Sequence, residues 1–255
     1  MLDPETGIVL AAGIIAAAVA AGIAWFLRKR ETEPEDVTLG FLGPSLAAIY
    51  LLVLALGLAT EWQTIGNAQQ AVGNEAVAIR QLYWSASGLP APAADNLRTQ
   101  LRQYTETVLN HDWPEMRRGD LDDVSDQQLT KMTTYVLQVN TQTSAASNAQ
   151  QFALGQLSVL ATSREQRADA SGSRLPLGVL ILVIFTSLIV AVFPFAGGMK
   201  SAPVCVALAV CQAMLVTIGV VVVFQLDNPF TGPLATNPQP ISAVATQIGA
   251  QAGPQ

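Results

Sequence analysis

Four apolar runs limit what this chain can fold into: residues 7–27, 41–60, 175–195 and 202–226, none of which contains Asp, Glu, Lys or Arg. A helix rises 1.5 Å per residue, so about 20 apolar residues cross a hydrocarbon core about 30 Å thick. Each run meets that length. The first is preceded by the acidic "MLDPET" and followed by the basic Arg28-Lys29-Arg30. A secretory signal has its basic residues in front of the apolar part, so this run is expected to be a retained helix. Composition agrees with a membrane class. Only 13% of the 255 residues are charged and the mean hydropathy is +0.37, whereas soluble domains carry about 25% charged residues.

Orientation follows from the short connections. Arg28, Lys29 and Arg30 lie between the first two runs, and Lys200 lies between the last two. Positive residues favour the cytoplasmic side, which puts both termini and the long middle segment outside the cytoplasm. The expected fold is an all-α membrane protein with four transmembrane helices and a long antiparallel helical stalk between the second and third spans. Its parts are spans one and two (1–62), the stalk (63–174), spans three and four (175–226), and a turn with a short tail helix (227–255).

Punctuation inside the middle segment sets its elements. No proline occurs from Ser45 to Ser87, so the second span is expected to run on as one helix until "SGLPAPAADN" breaks it. A helix over about 93–110 follows. "NHDWPEMRRGDLDDVSD" then reads as a loop, with Ser125 or Asp126 capping the next helix. That helix is expected to continue without a break into the third span, because no proline interrupts it before Arg174. It carries a seam at alternating steps of three and four: Leu129, Met132, Val136, Val139, Thr143, Ala146, Gln150, Ala153, Leu157, Leu160 and Arg164. The outgoing arm carries the matching series Ile65, Ala68, Val72, Glu75, Ile79, Leu82 and Ala86. Such spacing is a heptad seam.

One seam position is a carboxylate. Equal rise from Trp62 and Leu175 puts Glu75 at the level of residue 162, within a turn of Arg164. The same reckoning sets Glu61 beside Arg174. Two cross-arm ion pairs are therefore expected, Glu75 with Arg164 and Glu61 with Arg174. Beyond the fourth run, "LDNPFTG" forms an exit clasp through Asp227, Pro229, Phe230 and Gly232, with Phe230 tucked back near Glu61 and Arg174. The tail that follows presents Ile241, Val244 and Ile248 on one helix face.

No catalytic arrangement is legible. There is no GxSxG, no Ser/His/Asp set and no phosphate-cradling glycine loop, so no enzyme is expected. The net charge of −6 argues against nucleic acid as a partner. His111 is the only histidine and reads as a loop residue, because "HDWPE" offers only neighbouring carboxylates. "DLDDVSD" lacks the glycine and distal glutamate of a calcium loop and reads as an acidic loop with a helix cap. Cys205 and Cys211 are six apart inside an apolar run, which suits neither a disulfide nor zinc. No metal and no cofactor are expected. Gln212, mid-run, is expected to hydrogen-bond between helices.

Several stretches in order, "EW" at 61–62, "NEAVAIRQLYWSASGLP" at 74–90, "YTETVLNHDWPEM" at 104–116, "SREQRADASGSRLP" at 163–176 and "LDNPFTGPLATNPQPI" at 226–241, resemble the bacterial bestrophin-like membrane proteins. The resemblance covers Glu75, Ala76, Leu82, Tyr83, Leu89 and Pro90 on the first arm, Trp113 and Pro114 in the loop, Arg164, Arg167 and Arg174 on the return, and the exit motif. It implies a multi-pass protein of the bacterial plasma membrane, and an oligomeric ion channel or permeation protein of the bestrophin type. Two other readings fit the residues. One is a structural or accessory subunit of a larger membrane or envelope complex, and the other is a sensor input module whose paired helices transmit a signal. In each case the partners are the lipid bilayer and either further copies of the chain or other membrane subunits.

Overall fold

The computed structural model describes residues 36–119, 121–196, 203–232 and 234–250, and the regular structure among them is helical throughout. The order is α1 (Asp36–Ser85), a 3-10 turn (Ala86–Gly88), α2 (Ala91–Thr107), a π turn (Val108–Asp112), α3 (Trp113–Met116), α4 (Val124–Gln138), α5 (Ser144–Gly172), α6 (Leu177–Ala196), α7 (Pro203–Leu226) and α8 (Gln239–Ala250). The run at 7–27, Arg28 to Arg30 and Lys200 lie outside the described residues. The chain separates into two compact units. One holds α1 up to Trp62 together with Arg174–Asp227; the other holds Gln63–Ser173 together with the chain from Asn228 onward.

In the first unit, α6 and α7 pack on each other. Tyr50, Val190 and Val216 form a small buried cluster flanked by Leu46 and Leu54. The Tyr50 hydroxyl donates to the Val216 carbonyl at 3.2 Å, a carbonyl that helix geometry leaves able to accept a second bond. Gly219 permits that approach, since a Cβ there would stand 2.6 Å from the Tyr50 oxygen. Gln212 Nε2 donates to the Val190 carbonyl at 2.8 Å, which is the interhelical bond expected of a mid-run amide. Around this small interior, Leu51, Leu52, Leu56, Ile181, Phe185, Met214, Leu215 and Ile218 are exposed. Water penalises such a surface at roughly 25 cal/mol per Å², and lipid does not. Among the described residues two helical stretches, Gly43–Gly88 and Ser144–Ala191, are long and apolar enough to cross a membrane, and Val210–Leu226 is a shorter apolar helix.

The second unit holds the larger core. All seven residues of the expected outgoing series, Ile65, Ala68, Val72, Glu75, Ile79, Leu82 and Ala86, are buried. They join Leu97, Leu101, Tyr104 and Val108 from α2 and the π turn, Leu129, Met132 and Val136 from α4, and Leu157 and Leu160 from α5. Helix α8 lies on α2 and buries Ile241, Val244 and Ile248. Arg102 Nε reaches the Ile248 carbonyl at 3.4 Å.

Three local expectations change. First, the returning helix is interrupted at residues 139–143, so α4 and α5 form a hairpin in contact along their length. The interrupting stretch, "VNTQT", is rich in β-branched and cap-forming side chains, which compete with the helix backbone. Thr143 caps α5 by accepting the Ala146 amide at 3.2 Å. Gln150 Nε2 donates to the carbonyls of Val136 and Val139 at 2.7 and 3.0 Å, satisfying acceptors that the end of α4 leaves open. The polar centre of the seam is thus the turn of a hairpin. A further non-helical stretch, residues 173–176, separates α5 from α6. Second, helix continues through the π turn and α3 to Met116, where a loop was expected. Pro114 falls in the first turn of α3, directly after the π turn. Third, neither Ser125 nor Asp126 caps α4. Asp122 Oδ1 accepts the Val124 amide at 3.0 Å, and Ser125 is buried.

Candidate functional site

The inward side of the second unit contains a guanidinium with no exposed surface. Arg167, on α5, is 0% exposed. Its Nε stands 2.8 Å from Glu75 Oε2, an ion-pair contact lying off the hydrogen-bond direction. Its Nη2 donates to Glu75 Oε1 at 3.2 Å and to Asp112 Oδ2 at 3.1 Å. Its Nη1 points at Met116 Sδ, 3.5 Å away. Tyr104, on α2, donates its hydroxyl to Glu75 Oε1 at 2.6 Å, a short bond of the charge-assisted kind. Glu75 and Asp112 are also 0% exposed.

Each element contributes for a local reason. Glu75 stands at a seam position of α1 and so must point inward. Asp112 ends the π turn, and the extra residue of such a turn re-aims side chains at its end. Asp112 consequently faces the interior while its neighbour His111 faces out. Electrostatics bind the group together. Burial alone would lower the Arg167 pKa, but Glu75, Tyr104 and Asp112 more than reverse this and hold it charged. Burial pushes the Glu75 carboxyl up, against the opposing pull of Arg167 and of the Tyr104 hydrogen bond. Burial and the adjacent Glu75 charge push the Tyr104 hydroxyl well up, so it stays a donor. With both carboxylates ionised, two negative charges face one positive charge, and Asp112 Oδ1 has no hydrogen-bond partner.

A rim of ionisable groups adjoins this network. His111 Nδ1 lies 3.7 Å from Glu115 Oε2 and 4.0 Å from Asp112 Oδ1, and its Nε2 lies 3.7 Å from Asp122 Oδ2.

The structure redistributes the residues expected to pair. Glu75 meets Arg167, one turn beyond Arg164. The non-helical residues 173–176 account for the shift. A non-helical step advances the chain by up to about 3.3 Å, against 1.5 Å in a helix. The three steps from Gly172 to the reference Leu175 therefore move the level facing Glu75 by up to about four positions, from 162 towards Arg167. Arg164 instead donates from Nε to Ser125 Oγ at 2.8 Å and from Nη2 to the Asp122 carbonyl at 2.6 Å, with Asp126 at 3.9 Å. Glu61 and Arg174 form no ion pair: Glu61 is 3% exposed and Arg174 is exposed. Asp227, rather than an arginine, acts on Glu61 electrostatically.

The exit motif divides by role. Asp227 Oδ1 accepts the Leu175 amide at 2.8 Å, next to the start of α6, where open N–H groups and the helix dipole favour an anion. The ring contact that Phe230 makes is with Trp113 rather than with the expected pair of charges. The two rings pack edge-on with centroids 5.5 Å apart and an interplanar angle of 87°. Asn228 shapes that turn by accepting the Phe230 amide at 2.8 Å. Pro229 is buried, and its carbonyl accepts the Thr236 amide at 2.7 Å. Gly232 has φ 83°, a conformation that side chains resist. Tyr104 and Asp112 were not identified as site residues from sequence. Their signal was present in "YTETVLNHDWPEM", but only the π turn shows which of His111 and Asp112 faces in.

The sequence profile described as "Bestrophin-like domain" matches residues 10–241. The chain belongs to the bestrophin-like family. Solved structures share its fold across nearly the whole length. A mutant crystal structure of a bacterial bestrophin homologue from Klebsiella pneumoniae is 13% identical with a TM-score of 0.68, covering 95% of this chain and 96% of the homologue. Another crystal structure of that homologue is 12% identical with a TM-score of 0.70, covering 97% and 98%. A mutant of a chain described as a membrane protein is 11% identical with a TM-score of 0.72, covering 98% and 100%. Among curated proteins nothing matches. The bestrophin-like fold thus holds its paired arms together around Arg167 in this chain.

Removing one member of a buried ion pair costs about 3–5 kcal/mol, and losing a hydrogen bond to a charged group about 1.5–3 kcal/mol. In chemical unfolding of the detergent-solubilised chain, Arg167→Ala should therefore be destabilised more than Tyr104→Phe, and both more than Arg174→Ala, whose side chain is exposed. An Arg167→Ala variant as stable as wild type contradicts this assignment.

Proposed function

We propose that this chain is a four-span, oligomeric membrane channel of the bestrophin type, with the second unit as its extramembrane stalk. The observation that carries the reading is the family match over residues 10–241, supported by a fold likeness that takes in the apolar helices as well as the stalk. The third and fourth spans correspond to α6 and α7, whose outward faces are apolar. The first corresponds to residues 7–27. Closed rotational symmetry would supply a central axis for permeation, since spans with no ionisable side chain offer no relay of their own. In this reading no step of catalysis is involved, and lipid covers the apolar faces.

Purified protein reconstituted into liposomes should form a symmetric assembly and pass small inorganic ions. A monodisperse monomer, or vesicles as tight as protein-free controls, contradicts the proposal and favours an accessory subunit.

The orientation set by Arg28 to Arg30 and Lys200 places the stalk outside the cytoplasm. With Cys205→Ala and Cys211→Ala as background, Ser87→Cys on the exposed tip of the stalk should react with a membrane-impermeant maleimide in intact spheroplasts. Reaction only after lysis reverses the orientation.

A further inference from the structure

The rim beside the buried network gathers unlike ligands from two segments. His111 and Glu115 are four apart, on the π turn and α3, and so share one helical face. Asp122 arrives from the loop before α4. One donor atom from each can be chosen so that all three lie within 4.8 Å of one another. Asp122 Oδ2 already stands 3.7 Å from His111 Nε2, whereas the 3.7 Å approach of Glu115 Oε2 is to Nδ1, so Glu115 is the side chain that must swing to meet a metal on Nε2. Tetrahedral zinc bound at about 2.0–2.2 Å sets its ligand atoms about 3.4 Å apart. The side chains that must close the difference are at least partly exposed: 46% for His111, 21% for Glu115 and 42% for Asp122.

A second observation lies behind the histidine. Asp112 is completely buried, and its Oδ1 has no hydrogen-bond partner. That oxygen faces His111 Nδ1 at 4.0 Å. A metal-bound histidine characteristically gives its other ring N–H to a carboxylate, which fixes the tautomer and the ring plane. Asp122 stands at the Nε2 side, so metal on Nε2 leaves Nδ1–H for Asp112. The orphaned acceptor and the open ligand cluster then complete each other.

We propose that His111, Glu115 and Asp122 bind a divalent transition-metal cation of the zinc class, with Asp112 orienting His111 from the buried side. The donor set selects the class. An imidazole suits zinc and its neighbours, whereas calcium and magnesium take oxygen. Two carboxylates balance the ion's charge, and the fourth position is left to water. Glu115 Oε2 remains available, because Arg118 approaches Oε1 at 3.6 Å and the weaker 3.3 Å bond from the Asp122 amide leaves a lone pair. The site is contiguous with the ionic network through Asp112, so the ion adds positive charge beside a group in which carboxylates outnumber the guanidinium. Binding should stiffen the second unit whether or not the chain conducts ions.

The test uses the full-length protein in detergent, stripped by chelator and titrated with Zn²⁺ alone by calorimetry, with thermal unfolding in parallel. Wild type should bind one Zn²⁺ per chain and unfold at a higher temperature with it, as any ligand of the native state requires. His111→Ala and Asp122→Asn should each weaken binding at least about ten-fold, in line with the loss of a metal ligand or its support, and remove the thermal shift. Asn at 122 keeps an oxygen for the Val124 amide, so this variant preserves the α4 cap. The proposal is overturned by no Zn²⁺ binding in wild type, by equal binding in both variants, or by Ca²⁺ or Mg²⁺ binding the site as tightly as Zn²⁺.

Discussion

A guanidinium without exposed surface persists only where opposite charge meets it, because moving an unpaired ion out of water costs several kcal/mol even after relaxation. Arg167 is such a group, and the second unit is arranged around holding it. Glu75 comes from α1, Asp112 from the π turn and Tyr104 from α2, while Arg167 itself comes from α5. Four separate segments are thereby tied to one point. The apolar cluster around them supplies most of the burial, but apolar contact is non-directional. The ionic group sets which residue of α1 lies opposite which residue of α5.

That role explains why the arms tolerate so small a seam. Ala68, Ala71, Ala76, Ala78, Ala86 and Ala153 are all buried, and alanine contributes little side-chain area. Small residues permit close approach but specify register weakly. A buried ion pair of defined geometry specifies it strongly, which is the best-attested use of polar groups in helical interfaces. The hairpin of α4 and α5 is specified in a related way. Gln150 reads the carbonyls at the end of α4, so the turn falls where the amide can reach.

Much of the fold was legible because periodicity and punctuation agreed. The outgoing series at Ile65 to Ala86 is buried in full, α1 ends where "SGLPAP" predicts, and the tail helix buries Ile241, Val244 and Ile248. Punctuation misleads in both directions: a stretch free of proline need not stay helical, and Pro114 does not end the helix that runs on to Met116. The stretch "VNTQT" breaks a helix without proline, through capping and β-branching, whereas residues 173–176 break it around Pro176, before which helix is disfavoured. The second break also moved the ionic partner of Glu75 from Arg164 to Arg167. Sequence spacing alone locates a charge on a face, but the height of that charge depends on every non-helical residue between it and the reference point. The site was legible in part. Glu75 stood out as a charge in an apolar series, whereas Asp112 looked like one more acid in a polar loop. Nothing in "NHDWPE" announces a π turn, and the π turn decides that Asp112 faces in and His111 faces out. Asp122 met His111 through tertiary folding across Gly119, whose φ of 77° no local pattern would have required.

The central claim is that Glu75 and Arg167 act as one unit that fixes how the arms meet. A double-mutant cycle with Glu75→Gln and Arg167→Gln in the full-length protein, read by chemical unfolding in detergent, measures that directly. Residues within one ionic network show interaction energies of about 0.5–3 kcal/mol, whereas independent sites add within about 0.3–0.5 kcal/mol. The account predicts a coupling in the upper part of that range, with the double variant less destabilised than the two single losses added together. Simple additivity would contradict it.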